Sequence, residues 1–196
     1  MVITGQKLAF TAIETGNCYV DCDFAYSNER IYIADVTFDH CTFAQQNFAD
    51  SEWLDVTFKN IDFSNDTFES SVIYRTTFDN CRMMGSELIA SRLKAVKFSN
   101  SQLMYSNFNS AKIEHGEFKE CNLTESSFQS VTFKDINCFQ NSNLNGSDFV
   151  DSYLRGVDLS TSDFDELLLD PNMVQGLVLN SYQVQQIVGL LGIILK

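Results

Sequence analysis

Over most of this chain every fifth residue is large and apolar, a period that belongs to neither a helix at 3.6 residues nor a strand at 2. Counted in fives from Phe38, the series runs to Phe133; after one extra residue it resumes at Phe139 and continues to Phe164. All 26 positions are Phe, Leu, Ile, Met or Trp, and 15 of the 17 phenylalanines lie on them. A second column two residues earlier is small (Ala, Cys, Gly, Ser, Thr or Val) at 22 of 26 positions, the exceptions being Gln46, Ile61, Asp66 and Asn137. A chain that turns a corner every five residues explains both columns. Each side sends one large and one small side chain inward, and four sides close a coil of about 20 residues that stacks on the next at about 4.8 Å. Large and small residues then alternate along a narrow axis and fill it without voids. Phe38, Phe58, Phe78, Phe98, Phe118 and Phe139 are expected to form one continuous core stack.

The unit of a small residue, a polar residue, Phe or Leu and two more is visible in Cys41-Thr42-Phe43-Ala44-Gln45, Ser126-Ser127-Phe128-Gln129-Ser130 and Ser142-Asn143-Leu144-Asn145-Gly146. It resembles the pentapeptide-repeat family. That resemblance implies an all-β fold, a right-handed quadrilateral parallel β-helix, here with a short C-terminal helix. Residues 1–35 are less regular, with Ile3, Leu8, Ile13 and Cys18 in phase but Phe24 one residue out; they read as an N-terminal cap and first coil, with a bulge or turn near Tyr26–Arg30. Residues 36–170 are the repeat body, and Pro171-Asn172 marks the turn into a C-terminal segment, 171–196. Asn180 or Ser181 can cap a helix running to about Leu191.

Formal net charge is −13, from 26 acidic and 13 basic residues. Phosphates would be repelled, so direct binding to nucleic acid or an anionic membrane is disfavoured, and a basic protein groove is the favoured partner. No window resembles a membrane span, and the N-terminus lacks the features of a signal peptide, so the cytoplasm is the expected compartment. The lattice also assigns charge to faces. The face centred on Phe68 carries Asp50, Asp66, Glu69, Glu87, Asp148 and Asp151 and no Lys or Arg; the preceding face gathers Asp163, Asp165 and Glu166 at its end. The face centred on Ile73 carries Arg75, Arg92, Lys94, Lys112, Lys134 and Arg155. An acidic soluble protein could display such outward residues with no function attached. The sharper reading is a DNA-like surface, although a diluted one: the body spans roughly 31 Å, over which duplex DNA carries about 18 charges.

The C-terminal segment is similar to the capping and dimerisation tail of the Qnr/MfpA-like quinolone-resistance branch of the family, through Leu179, Tyr182, Gln183, Leu191, Gly192 and Ile193. Members of that branch bind type II topoisomerases as mimics of duplex DNA. The resemblance therefore implies DNA gyrase and/or topoisomerase IV as partner, inhibited or protected from fluoroquinolones, with no enzymatic activity and no cofactor. It also implies a homodimer through Leu177, Leu179, Tyr182, Ile187, Val188, Leu190, Leu191 and Ile193; the alternative for this apolar end is a cap folded onto the last coil. Plasmid-type relatives carry projecting loops that matter for protection, and this body has no insertion longer than one residue. The other functional reading is a scaffold for a different protein partner.

Nothing in the chain reads as catalytic. Cys41, Cys81 and Cys121 fall in the small column two coils apart, about 9.6 Å, which is too far for a disulfide. No Cys/His set suits zinc, and His40 and His115 fall at corners that face solvent. Thr37, Thr57 and Thr77, and Asn60, Asn80 and Asn100, form short polar ladders.

Overall fold

The computed structural model describes residues 1–191 and residue 194. The chain winds into a parallel β-solenoid of about eight turns. One side is a sheet of nine parallel strands, from Val2–Thr4 to Val157–Asp158, and another a sheet of six, from Tyr32–Ala34 to Thr132–Lys134. The other two sides hold short strands and single bridges, such as Asp62–Arg82–Gln102 and Asn47–Thr67–Glu87. We name the four sides after the inward residues Phe58, Phe63, Phe68 and Ile73.

The expected stack is present in register. Phe38, Phe58, Phe78, Phe98 and Phe118 pair at offsets of 20, and Phe118 pairs with Phe139 at 21, which absorbs the extra residue. Ring centroids along it are 4.5 to 5.5 Å apart with planes within 23° of parallel. Rings of the other sides meet them edge-on, as Phe63 meets Phe58 at 90° and Phe108, from the opposite side, meets Phe98 at 87°. The core is thus built of stacked columns locked by T-shaped contacts, both favoured by the ring quadrupole. Ile136, beside the extra residue, is turned outward.

Corners explain the fifth position of the repeat. Twenty-two non-glycine residues, nearly all at corners, have φ between 48° and 60°, a left-handed conformation that Asn, Asp and Gly tolerate best. At Gly156, with φ of 82°, a Cβ would also come within 2.5 Å of the Asp135 carbonyl oxygen.

Serine recurs in the small column because the corner leaves backbone groups to satisfy. The hydroxyl of Ser152 donates to the Phe128 carbonyl one coil earlier at 2.6 Å and accepts from the Val131 N–H at 2.7 Å. Ser142 does the same for Phe118 and Cys121. Ser86 Oγ is buried and has no partner. Ser152→Ala orphans a buried N–H and is expected to cost about 1–3 kcal/mol, whereas Ser86→Ala is expected to be within about 0.5 kcal/mol of neutral. Urea unfolding of the two variants checks this, and equal losses would contradict the hydrogen-bond assignment.

The N-terminal region departs from the expected phase. Tyr19, not Cys18, is the inward residue; it pairs between Ile3 and Phe38 and is fully buried. Phe24 pairs with Leu8 and Phe43, so both belong to one register that slips by one residue in the irregular stretch Ala25–Ile31. Gln46 points outward, and Gln45 is buried in its stead, accepting from the Ser27 N–H at 3.1 Å and donating to the Asn47 carbonyl at 2.9 Å. Asn137 is buried and fills the volume that Gly116 leaves empty: its Oδ1 accepts from the Gly116 N–H at 2.8 Å. At the other end the winding continues past Pro171, with Leu154 N–H bonded to Met173 and Leu159 N–H to Val178. Among the described residues, no helix is long and apolar enough to cross a membrane.

Candidate partner-binding surface

The acidic residues proposed from sequence lie on the outside of the solenoid, with one exception. Asp50, Glu69, Glu87 and Asp151 are exposed and Asp148 is half-buried, all along the Phe68 side. Asp50 and Asp151 are corner residues with φ of 57° and 59°, which throws their carboxylates clear of the body. Asp163, Asp165 and Glu166 are exposed at the C-terminal end of the Phe63 side, where Asn145 Oδ1 accepts from the N–H groups of Asp165 and Glu166 at 3.0 and 3.1 Å. Among the described residues none of these eight carboxylates lies within 4.0 Å of a cationic side chain. They form two groups, with uncharged Asn107, Ser110, Ser127 and Ser130 between them.

Asp66 is the exception and is removed from the surface set. It sits in the small inward column and is only 6% exposed, because its lattice position, two residues before Phe68, points to the axis. Burial, with Asp62 nearby, pushes its carboxyl from 3.8 up to about 7. Such a group takes up a proton on folding, so its contribution to stability is present below about pH 4 and is lost as pH rises through about 7. Asp66→Asn is therefore expected to gain on the order of 1–3 kcal/mol at pH 8 and little at pH 4. Urea midpoints at the two pH values measure it; equal shifts at both would contradict the burial argument.

Elsewhere several charges are paired across rungs. Lys97 meets Glu117 at 3.0 Å, Lys94 meets Glu114 at 2.5 Å, Arg30 meets Glu52 at 2.6 Å, and Arg75 is held by Asp55. Hydrogen bonding to Arg75 and Lys94 lowers the carboxyls of Asp55 and Glu114, respectively. His40 and His115 stand at exposed corners beside Asp39 and Asp135. The donor atoms of Glu114, His115 and Asp135 come within 4.8 Å of one another, but Glu114 is occupied by Lys94. The column cysteines are inert core residues, since burial pushes the thiols of Cys81 and Cys121 up to about 12.

At the C-terminus, Asn180 caps the helix Ser181–Ile187 in a reciprocal box with Gln183. Gln183 also donates to the Leu159 and Ser162 carbonyls at 2.8 and 2.6 Å, which ties the helix over the last coil. Of the residues named for dimerisation, Ile187 is buried against the chain's own core, and Leu177 and Leu179 pack partly on it. Val188 is half-buried, and Tyr182 is 68% exposed. The side chains of Leu190 and Leu191, and the whole of Ile193, lie outside the described residues. Val178 and Val184, not singled out from sequence, are also exposed.

Comparison with known proteins agrees with this geometry. A model of the pentapeptide repeat region matches residues 51–128, and a model of pentapeptide repeats in eight copies matches 139–166. No curated protein sequence matches the chain. Two solved structures of QnrB1, described as a plasmid-mediated fluoroquinolone resistance protein, share the fold; both are of trypsin-treated protein carrying a single substitution. One has a TM-score of 0.63 at 23% identity, covering 100% of this chain and 98% of that one. The other has a TM-score of 0.65 at 22% identity, covering 100% and 99%. With the repeat models spanning more than half of its residues and the four-sided coil in register, this chain belongs to the pentapeptide-repeat family.

Proposed function

We propose that the protein binds a bacterial type II topoisomerase, DNA gyrase or topoisomerase IV, in the basic groove that otherwise holds duplex DNA. The observation that carries this reading is the set of eight unpaired carboxylates on two adjoining sides of the solenoid. Arg75, Lys94 and Lys97 each meet an acid one rung away, whereas these eight acids have no cation, which leaves their field directed at solvent. The QnrB1 likeness in fold supports the choice of partner, and quinolone resistance is the related outcome in that protein. The body lacks an inserted loop, so inhibition of the enzyme is the expected effect rather than protection from the drug.

The protein acts as a homodimer joined at the C-terminal cap, where Val178, Tyr182 and Val184 present apolar surface. Two rods of about eight coils end to end reach roughly 80 Å, long enough for a groove shared by two subunits. Supercoiling by gyrase and relaxation by topoisomerase IV, with and without ciprofloxacin, test the partner: inhibition at micromolar protein is expected, and neither inhibition nor protection would overturn the reading. Sedimentation equilibrium tests the dimer, with Tyr182→Asp plus Val184→Asp expected to give monomer; an unchanged mass would place the interface elsewhere.

A further inference from the structure

The Ile73 side gathers Arg75, Arg92, Lys94, Lys112, Lys134 and Arg155, more cations than any other side of the solenoid body. Arg92 and Lys112 are in register on neighbouring strands about 4.8 Å apart, a juxtaposition of like charges that disfavours folding on its own. Among the described residues Arg92, Lys112 and Lys134 have no carboxylate within 4.0 Å, whereas Lys94 is held by Glu114. These four cations line one end of a shallow cleft of about 530 Å³, together with Glu114, which stands in register between Lys94 and Lys134 and leaves that end with a net positive charge. Its other end is apolar and aromatic: Leu54, Val72 and Tyr74, the last in register with Lys94. The Arg75 guanidinium lies 4.1 Å over the Tyr74 ring and is itself held by Asp55, so the ring is fixed in place; Arg75 does not line the cleft.

We propose that this cleft binds a nucleoside polyphosphate, with phosphates on Arg92, Lys112 and Lys134 and the base against Tyr74 and Leu54. Charge and volume both fit. The cleft is in the range of small-ligand sites, and unpaired cations in register gain most from a multivalent anion that bridges them. A compact anion is favoured over an extended one because the chain is at −13 overall. Within a Debye length of about 8 Å a polyphosphate senses mainly the local cations, whereas a strand of nucleic acid would run out over the acidic sides.

Titration calorimetry of the full chain with ATP, inorganic tripolyphosphate and a short DNA duplex at low salt tests it. Saturable ATP binding is expected, weakened about tenfold or more by Arg92→Gln with Lys112→Gln. Tyr74→Ser is expected to weaken ATP about threefold or more while leaving tripolyphosphate unchanged. All three positions are outward, and unchanged melting curves confirm that the variants fold. No saturation by about 5 mM ATP, insensitivity to the double variant, or tripolyphosphate or duplex binding tighter than ATP would each overturn the proposal.

Discussion

Phe98→Ala and Phe118→Ala are each expected to lower unfolding free energy by about 3–5 kcal/mol. Phe98 lies between Phe78 and Phe118 at centroid distances of 4.9 and 5.0 Å, nearly parallel to both. Phe118 lies 4.5 Å from Phe139 on its other side. Truncation removes two stacked contacts and the edge contacts at once, to Phe108 from Phe98 and to Phe108 and Phe128 from Phe118. The cavity cannot close, because the hydrogen-bonded ladders on either side hold the coil spacing. A solenoid is stable only through contacts between successive coils, so a gap at its centre weakens coupling between the two halves as well. Phe133, which meets only tilted rings at 6.3 and 6.4 Å, is expected to lose less, about 2–3 kcal/mol. Urea unfolding midpoints unchanged for Phe98→Ala would show that the stack does not carry the fold.

The body of the solenoid is legible in the sequence because one residue type does one job at one spacing. Phe58, Phe78 and Phe98 can be placed from their interval alone, and the structure keeps that register. Legibility fails where two neighbours could each serve. Cys18 and Tyr19 are both apolar, and the slip within Ala25–Ile31 hides which of them is inward. Gln45 and Gln46 are identical in chemistry; only the partners Ser27 and Asn47, unseen in any local pattern, select the first for burial. Asp66 shows the opposite failure: its position predicts burial and its charge predicts exposure, and position prevails at the expense of its ionised form. The side assignment of charge survives because it follows from the lattice, but the pairing of Lys94 with Glu114 needs the offset of one full coil to be noticed.

Reversal of three carboxylates, Asp50→Lys, Glu69→Lys and Glu87→Lys, is expected to weaken topoisomerase binding by about 100-fold or more and to slow association. The change leaves two of the five outward acids on the Phe68 side, Asp148 and Asp151, and sets three ammonium groups against a basic groove. The substitutions lie outside the core, and Arg75 already holds the left-handed corner conformation that Lys would adopt at Asp50, so the fold is expected to survive. The control separates local surface from total charge. Arg92→Glu with Lys94→Glu makes the chain more acidic than its native −13, and attraction by net charge alone would then tighten binding. Docking through the acidic sides instead predicts almost no change, since both residues lie on the Ile73 side. Surface-resonance titrations over a range of salt concentrations distinguish the cases: the triple variant should lose most of the salt dependence and the double variant should keep it. Equal affinities for the triple variant and the native chain would remove the acidic sides from the interface.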